Sequence, residues 1–138
     1  MRKAVPLSII VILMCILNPL AYSQETKTHD DAIGFVQRWL SLIDENKYLE
    51  TWGSLSGIFK KTTTKEQWLD DLDGFRKPLG KLLERKLLYV TESSDERLGK
   101  YLIVQYQSLF ENNTSKGEAI SVIKDSENGW NVLGYTIF

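Results

Sequence analysis

The sequence predicts an α+β fold: N-terminal helices packed on a curved four-stranded antiparallel meander sheet. Three observations carry that expectation. Residues 30–75 place apolar side chains at helical spacing, and residues 82–138 are rich in β-formers. The breaks between the later segments are too short for crossover connections, so consecutive strands must run antiparallel.

The elements follow in order. Thr28 stands three residues before Asp31, a weak capping box, and opens a helix with Ile33, Val36, Leu40 and Ile43 on one stripe. Phe35, Trp39 and Leu42 widen the stripe, which predicts burial around much of its girth. Asp44-Glu45-Asn46-Lys47 interrupts the pattern. Tyr48, Trp52, Leu55 and Phe59 then predict a second helix, weakened by Gly53 and Gly57. Thr64-x-x-Gln67 is a full capping box that starts a third helix with Trp68, Leu69, Leu72 and Phe75; Pro78 and Gly80 end it. Strands are expected at 82–91, 101–110, 118–124 and 130–138, the last two joined across an Asn-Gly turn at 128–129.

The chain has 138 residues, one His and one Cys, which excludes a zinc finger and a disulfide framework. A net charge of −1 with no basic block argues against nucleic acid as a partner. Arg2 and Lys3 precede a short apolar run, and Ala21-x-Ser23 supplies a cleavage site, so residues 1–23 are expected to be a signal peptide. Residues 24–138 would then form one exported domain, periplasmic or secreted, with no membrane span left after cleavage. Losing Arg2 and Lys3 leaves 15 basic against 18 acidic residues, a charge of −3, and losing Cys15 removes thiol chemistry.

Arg76-x-Pro78-Leu79-Gly80 with Arg85, Gly99-x-Tyr101, Phe110, Glu118 and Gly129-Trp130-x-Val132-x-Gly134-Tyr135 together resemble DUF4019, a family of small exported bacterial proteins without assigned function. The likeness spans about residues 30–138. It implies a nuclear-transport-factor-2-like or cystatin-like cone, helices over a bent sheet around a pocket, and it supplies no catalytic residue.

Hairpin geometry places Leu102, Val104, Tyr106, Ser108, Phe110, Ile120, Val122, Trp130, Val132 and Gly134 on one sheet face. Arg85, Leu87 and Tyr89 join it if the first loop closes near its middle. Arg85 and Glu118 are the two charges on this face, and a charge facing a core must be paired or reach water. Arg85, Tyr106, Glu118 and Trp130 are therefore the candidate ligand-binding residues. The opposite face carries Tyr101, Ile103, Leu109, Ile123, Leu133, Tyr135 and Ile137, apolar enough to suggest a homodimer. Trp39, Trp52 and Trp68 read as core, Asp70, Asp71 and Asp73 as a solvated face, and His29 as an exposed residue ahead of the first helix. The expected function is a non-catalytic binding module for a small apolar or amphipathic molecule or peptide, with no cofactor or metal. Protein–protein interaction through the outer face is the alternative, and an isomerase- or dehydratase-type enzyme comes third, since only Glu118 could serve as an inward base.

Overall fold

The computed structural model describes residues 19–127 and 129–138. The expected signal peptide lies mostly outside the described residues. A 26-residue helix, α1 (Pro19–Asp44), crosses one face of a four-stranded sheet. The short helices α2 (Tyr48–Thr51), α3 (Gly57–Thr62) and α4 (Lys65–Asp71) follow. The sheet is an antiparallel meander in chain order: β1 (Leu82–Asp95), β2 (Gly99–Phe110), β3 (Asn113–Asp125) and β4 (Gly129–Ile137). The expected α+β architecture is the observed one. Among the described residues, no helix is long and apolar enough to cross a membrane.

The expected stripe of α1 is the face that packs. Ala32, Val36, Trp39, Leu40 and Ile43 are buried against Leu102, Val104, Tyr106, Ile120, Val122 and Val132 of the sheet. Trp39 and Trp68 also find polar partners, their indole N–H groups donating to the carbonyl and hydroxyl of buried Thr51. Both are core; Trp52 is half-buried, with the Lys60 ammonium over its ring.

Four local expectations need correction. Thr28 does not cap α1; the helix runs back to Pro19, and the Thr28 hydroxyl donates to the Gln24 carbonyl one turn earlier. Without Glu or Gln at the third position, Thr28 had no reciprocal cap to stop the helix. His29 therefore sits within α1 and is half-buried rather than exposed. The expected second helix breaks at Leu55, whose extended backbone bridges to Val132, with Ser56 N–H donating to the Val132 carbonyl. Burying Leu55 against β4 outweighs continuing a helix through Gly53 and Gly57. Finally, β3 begins at Asn113 rather than Glu118, so the polar run after Phe110 is largely strand. Pairing with Phe138 holds its end: Gly117 N–H and C=O both bond Phe138, whose ring occupies the space a Cβ on Gly117 would need.

The other capping box forms as expected, with Thr64 and Gln67 each accepting the other's backbone N–H at the start of α4. Beyond it the chain passes through a π-turn at Leu72–Arg76 and a 3-10 turn at Lys77–Leu79, ending on Gly80 at φ +79. A Cβ on Gly80 would also meet the Glu111 side chain at 2.6 Å.

Two bulges decide which side chains face α1. Between Leu87 and Tyr89, β1 slips by one residue, which sends Tyr89 to the outer face and Val90 and Glu92 inward. Between Val132 and Gly134, β4 slips likewise. Gly134 pairs with Ser121 on the outer side, where a Cβ would meet nothing within 4 Å. It therefore faces outward, not onto the inner face where hairpin geometry placed it. Tyr135 and Ile137 turn inward, opposite Ile120 and Glu118.

Candidate functional site

Arg85, Glu118 and Tyr106 come together at the end of the sheet where β2 turns into β3. Arg85 pairs with Ser108 across β1 and β2, and Tyr106 with Glu118 across β2 and β3. The Arg85 guanidinium donates to Glu118 at 2.8 Å and to both oxygens of Asp44 at 2.6 and 3.0 Å. Asp44 also accepts from Arg76 at 3.1 Å. Glu118 is fully buried and accepts in addition from the Ser108 and Tyr135 hydroxyls.

Two guanidiniums and two carboxylates thus form a neutral, largely buried network. Its members explain one another. Asp44 ends α1, where a carboxylate opposes the helix dipole, and only the two arginines make that position favourable. Arg76, 2 % exposed, also donates to the Gly80 carbonyl and lies 4.4 Å from the centre of the Phe110 ring. Burial alone would pull the Arg85 pKa down; hydrogen bonding to Asp44 and the Glu118 charge outweigh it and raise the value. Burial and the Glu118 carboxylate hold the Tyr135 phenol protonated well beyond its ordinary range. Tyr106 is pushed up to about 12, mainly by burial.

Two polar atoms here remain without partners among the described residues, the Tyr106 hydroxyl and Arg76 Nε. Both atoms are shielded from solvent. Glu118 accepts three side-chain bonds and has no exposed surface, so its bonding in this structure is internal to the fold.

Trp130 lies at the opposite end of the sheet, where it pairs with Lys124 near the β3–β4 turn. It lines a groove of about 960 Å³ between α1, the Gly53–Lys61 segment and the β3–β4 hairpin. Phe35, Leu55, Ile58 and Trp130 give this groove apolar walls. Arg38, Lys60, Lys61 and Lys124 rim it, and none has a carboxylate within ion-pair distance among the described residues. The one acidic lining residue, Asp125, accepts the Glu127 N–H. Lys60 and Lys124 lie 5.3 and 5.7 Å from the Trp52 and Trp130 ring centres.

Sequence reasoning grouped Trp130 with Arg85 and Glu118 because all three share a face, but seven residue steps of β4, about 23 Å, separate Trp130 from Ile137, the partner of Glu118. It missed Asp44 and Tyr135. Asp44 was legible only as the end of the first helix, and Tyr135 was assigned outward because the bulge in β4 leaves no signature in composition. It missed the basic groove rim as well, since those residues come from three segments far apart in sequence.

No curated protein and no solved structure matches the chain at a significant level. The family model described as a protein of unknown function, DUF4019, matches residues 35–135, which include the Asp44–Arg76–Arg85–Glu118 network and every aromatic wall of the groove. On that match over most of its length, the chain belongs to the DUF4019 family.

Proposed function

We propose that this protein is a non-catalytic binding module of the cell envelope, taking an anionic amphipathic molecule in the groove beside Trp130. The observation that carries this reading is the groove's composition: apolar walls inside a rim of four cations without acidic partners. Its size falls within the range of small-molecule sites. An apolar tail would lie against Phe35, Ile58 and Trp130, while an acidic head would meet the lysines and Arg38. Beneath α1 the sheet face is filled by Leu102, Val104, Tyr106, Ile120 and Val122, so this reading places the ligand in the groove beside Trp130. Export rests on the Arg2-Lys3 start, the apolar run after it and the Ala21-x-Ser23 site. Intact mass of protein from the native host should then begin at Gln24.

Sodium decanoate below its micelle concentration is the direct probe. It should alter tryptophan emission saturably, whereas decyltrimethylammonium of equal chain length should not. Added salt should weaken the response, because the rim cations are exposed. Equal responses to both surfactants would show that charge plays no part and would remove the basis of the reading.

Self-association through the outer sheet face is the second reading. Tyr101, Ile103 and Ile123 remain on that face, half-exposed. The inward turn of Tyr135 and Ile137 makes the face less apolar than expected. Ile103→Lys would dissociate such a dimer in light scattering, and a wild type that is monomeric at high concentration would exclude it.

A further inference from the structure

We infer that Glu25 and His29 of α1, with Glu92 of β1, form a binding site for a zinc-like divalent cation that ties the start of the helix to the sheet. The three side chains each place a ligand atom within 4.8 Å of the other two. Glu25 and His29 stand four residues apart and so share one helix face. The bulge after Leu87 is what brings Glu92 under that face, opposite Leu102.

A second observation points the same way. His29 Nε2 is shielded from solvent and has no hydrogen-bond partner among the described residues. A ring nitrogen in that position is either unsatisfied or held for a ligand. One imidazole and two carboxylates suit zinc or a similar borderline ion, and the nitrogen donor disfavours calcium and magnesium. Bonds of about 2.1 Å to a tetrahedral ion need ligand atoms about 3.4 Å apart, which rotamer adjustments of two exposed glutamates supply. Three protein ligands leave a coordination position for water, and the site opens onto a hollow of about 340 Å³.

Lys100 is the competitor. Its ammonium pairs with Glu92 at 3.0 Å and must swing away when the cation binds. It is highly exposed, so the displacement is cheap. The site thereby gains a specific signature: removing Lys100 should improve metal binding, whereas removing any ligand should weaken it.

Tag-free protein stripped with chelator should be titrated with zinc chloride and followed by calorimetry and thermal unfolding. One zinc per chain should bind and raise Tm by about 3 °C or more at saturating metal, with magnesium chloride having no such effect. His29→Ala and Glu92→Gln should each weaken binding by tenfold or more, and Lys100→Ala should tighten it severalfold. Zinc binding equal in wild type and His29→Ala, or no one-to-one binding at all, overturns the assignment. Circular dichroism of the metal-free variants identifies any that fail to fold, and for those the Lys100→Ala titration decides.

Discussion

The two ends of the sheet solve opposite problems with the same kinds of residue. Near the β2–β3 turn, two arginines and two carboxylates are buried, neutral in sum and bonded to one another. Near the β3–β4 turn, an arginine and three lysines surround aromatic walls with no carboxylate paired to them among the described residues. Charge at the first end is spent on the fold. At the second it remains available to a partner.

The largest expected effect breaks the closed end. Arg85→Met leaves Asp44 and Glu118 short of a cation in a buried setting, and Glu118→Gln leaves Arg85 short of an anion. Each should cost on the order of 3–5 kcal/mol in urea unfolding. The double variant should lose less than the two together, with coupling above about 1 kcal/mol. Strict additivity would show that these charges do not hold the fold.

Next comes the turn at the open end. Gly129 has φ +75, a conformation β-branched residues avoid. Gly129→Val should destabilise by about 1 kcal/mol or more. An unchanged Tm would mean that the turn relaxes freely and does not fix the Trp130 wall.

Tyr106→Phe sharpens the contrast by removing a group that the closed end does not use. Its hydroxyl is buried without a partner, so stability at pH 7 should stay within about 0.5 kcal/mol or improve. The pH dependence has a definite sign. Tyr106 binds its proton more tightly in the folded state, up to about 12 against 10.0 unfolded, so its contribution is intact below pH 10 and lost as pH climbs toward 12. Wild type should lose stability across that interval, and Tyr106→Phe should lose less. Parallel curves for the two proteins would contradict the assignment.

The open end should contribute little to stability. Lys60→Glu with Lys124→Glu should change stability by less than about 1 kcal/mol, since both side chains are exposed and free of ion pairs. The same pair should abolish the decanoate response.

Much of this architecture was legible in sequence, and the errors in which sheet face a residue takes share one cause. Helical spacing in α1 and the Thr64–Gln67 box are local signals, and both elements form as they dictate. Strand alternation correctly placed Tyr106, Ser108, Glu118 and Ile120 inward, because no bulge interrupts β2 or β3 between those positions, and Val132, which precedes the slip in β4. It misplaced Tyr89, Gly134, Tyr135 and Ile137, which all follow a slip by one residue. A bulge is chosen by packing across strands, and no residue type within β1 or β4 announces it. Arg85 and Glu118 were recognisable as inward charges, but the second carboxylate bound by Arg85, Asp44, lies 41 positions before it on another element. The groove is assembled from three separate segments, so only the folded chain shows it.

Whether the open end is the binding site can be read directly from amide and indole chemical shifts during a sodium decanoate titration. Saturable shifts should cluster at Phe35, Arg38, Ile58, Lys60 and the Trp130 indole, leave Arg85 and Glu118 unmoved, and vanish in the Lys60→Glu, Lys124→Glu variant. Shifts centred on Arg85, Glu118 and Tyr106 with the groove silent would contradict the account and return the site to the buried network.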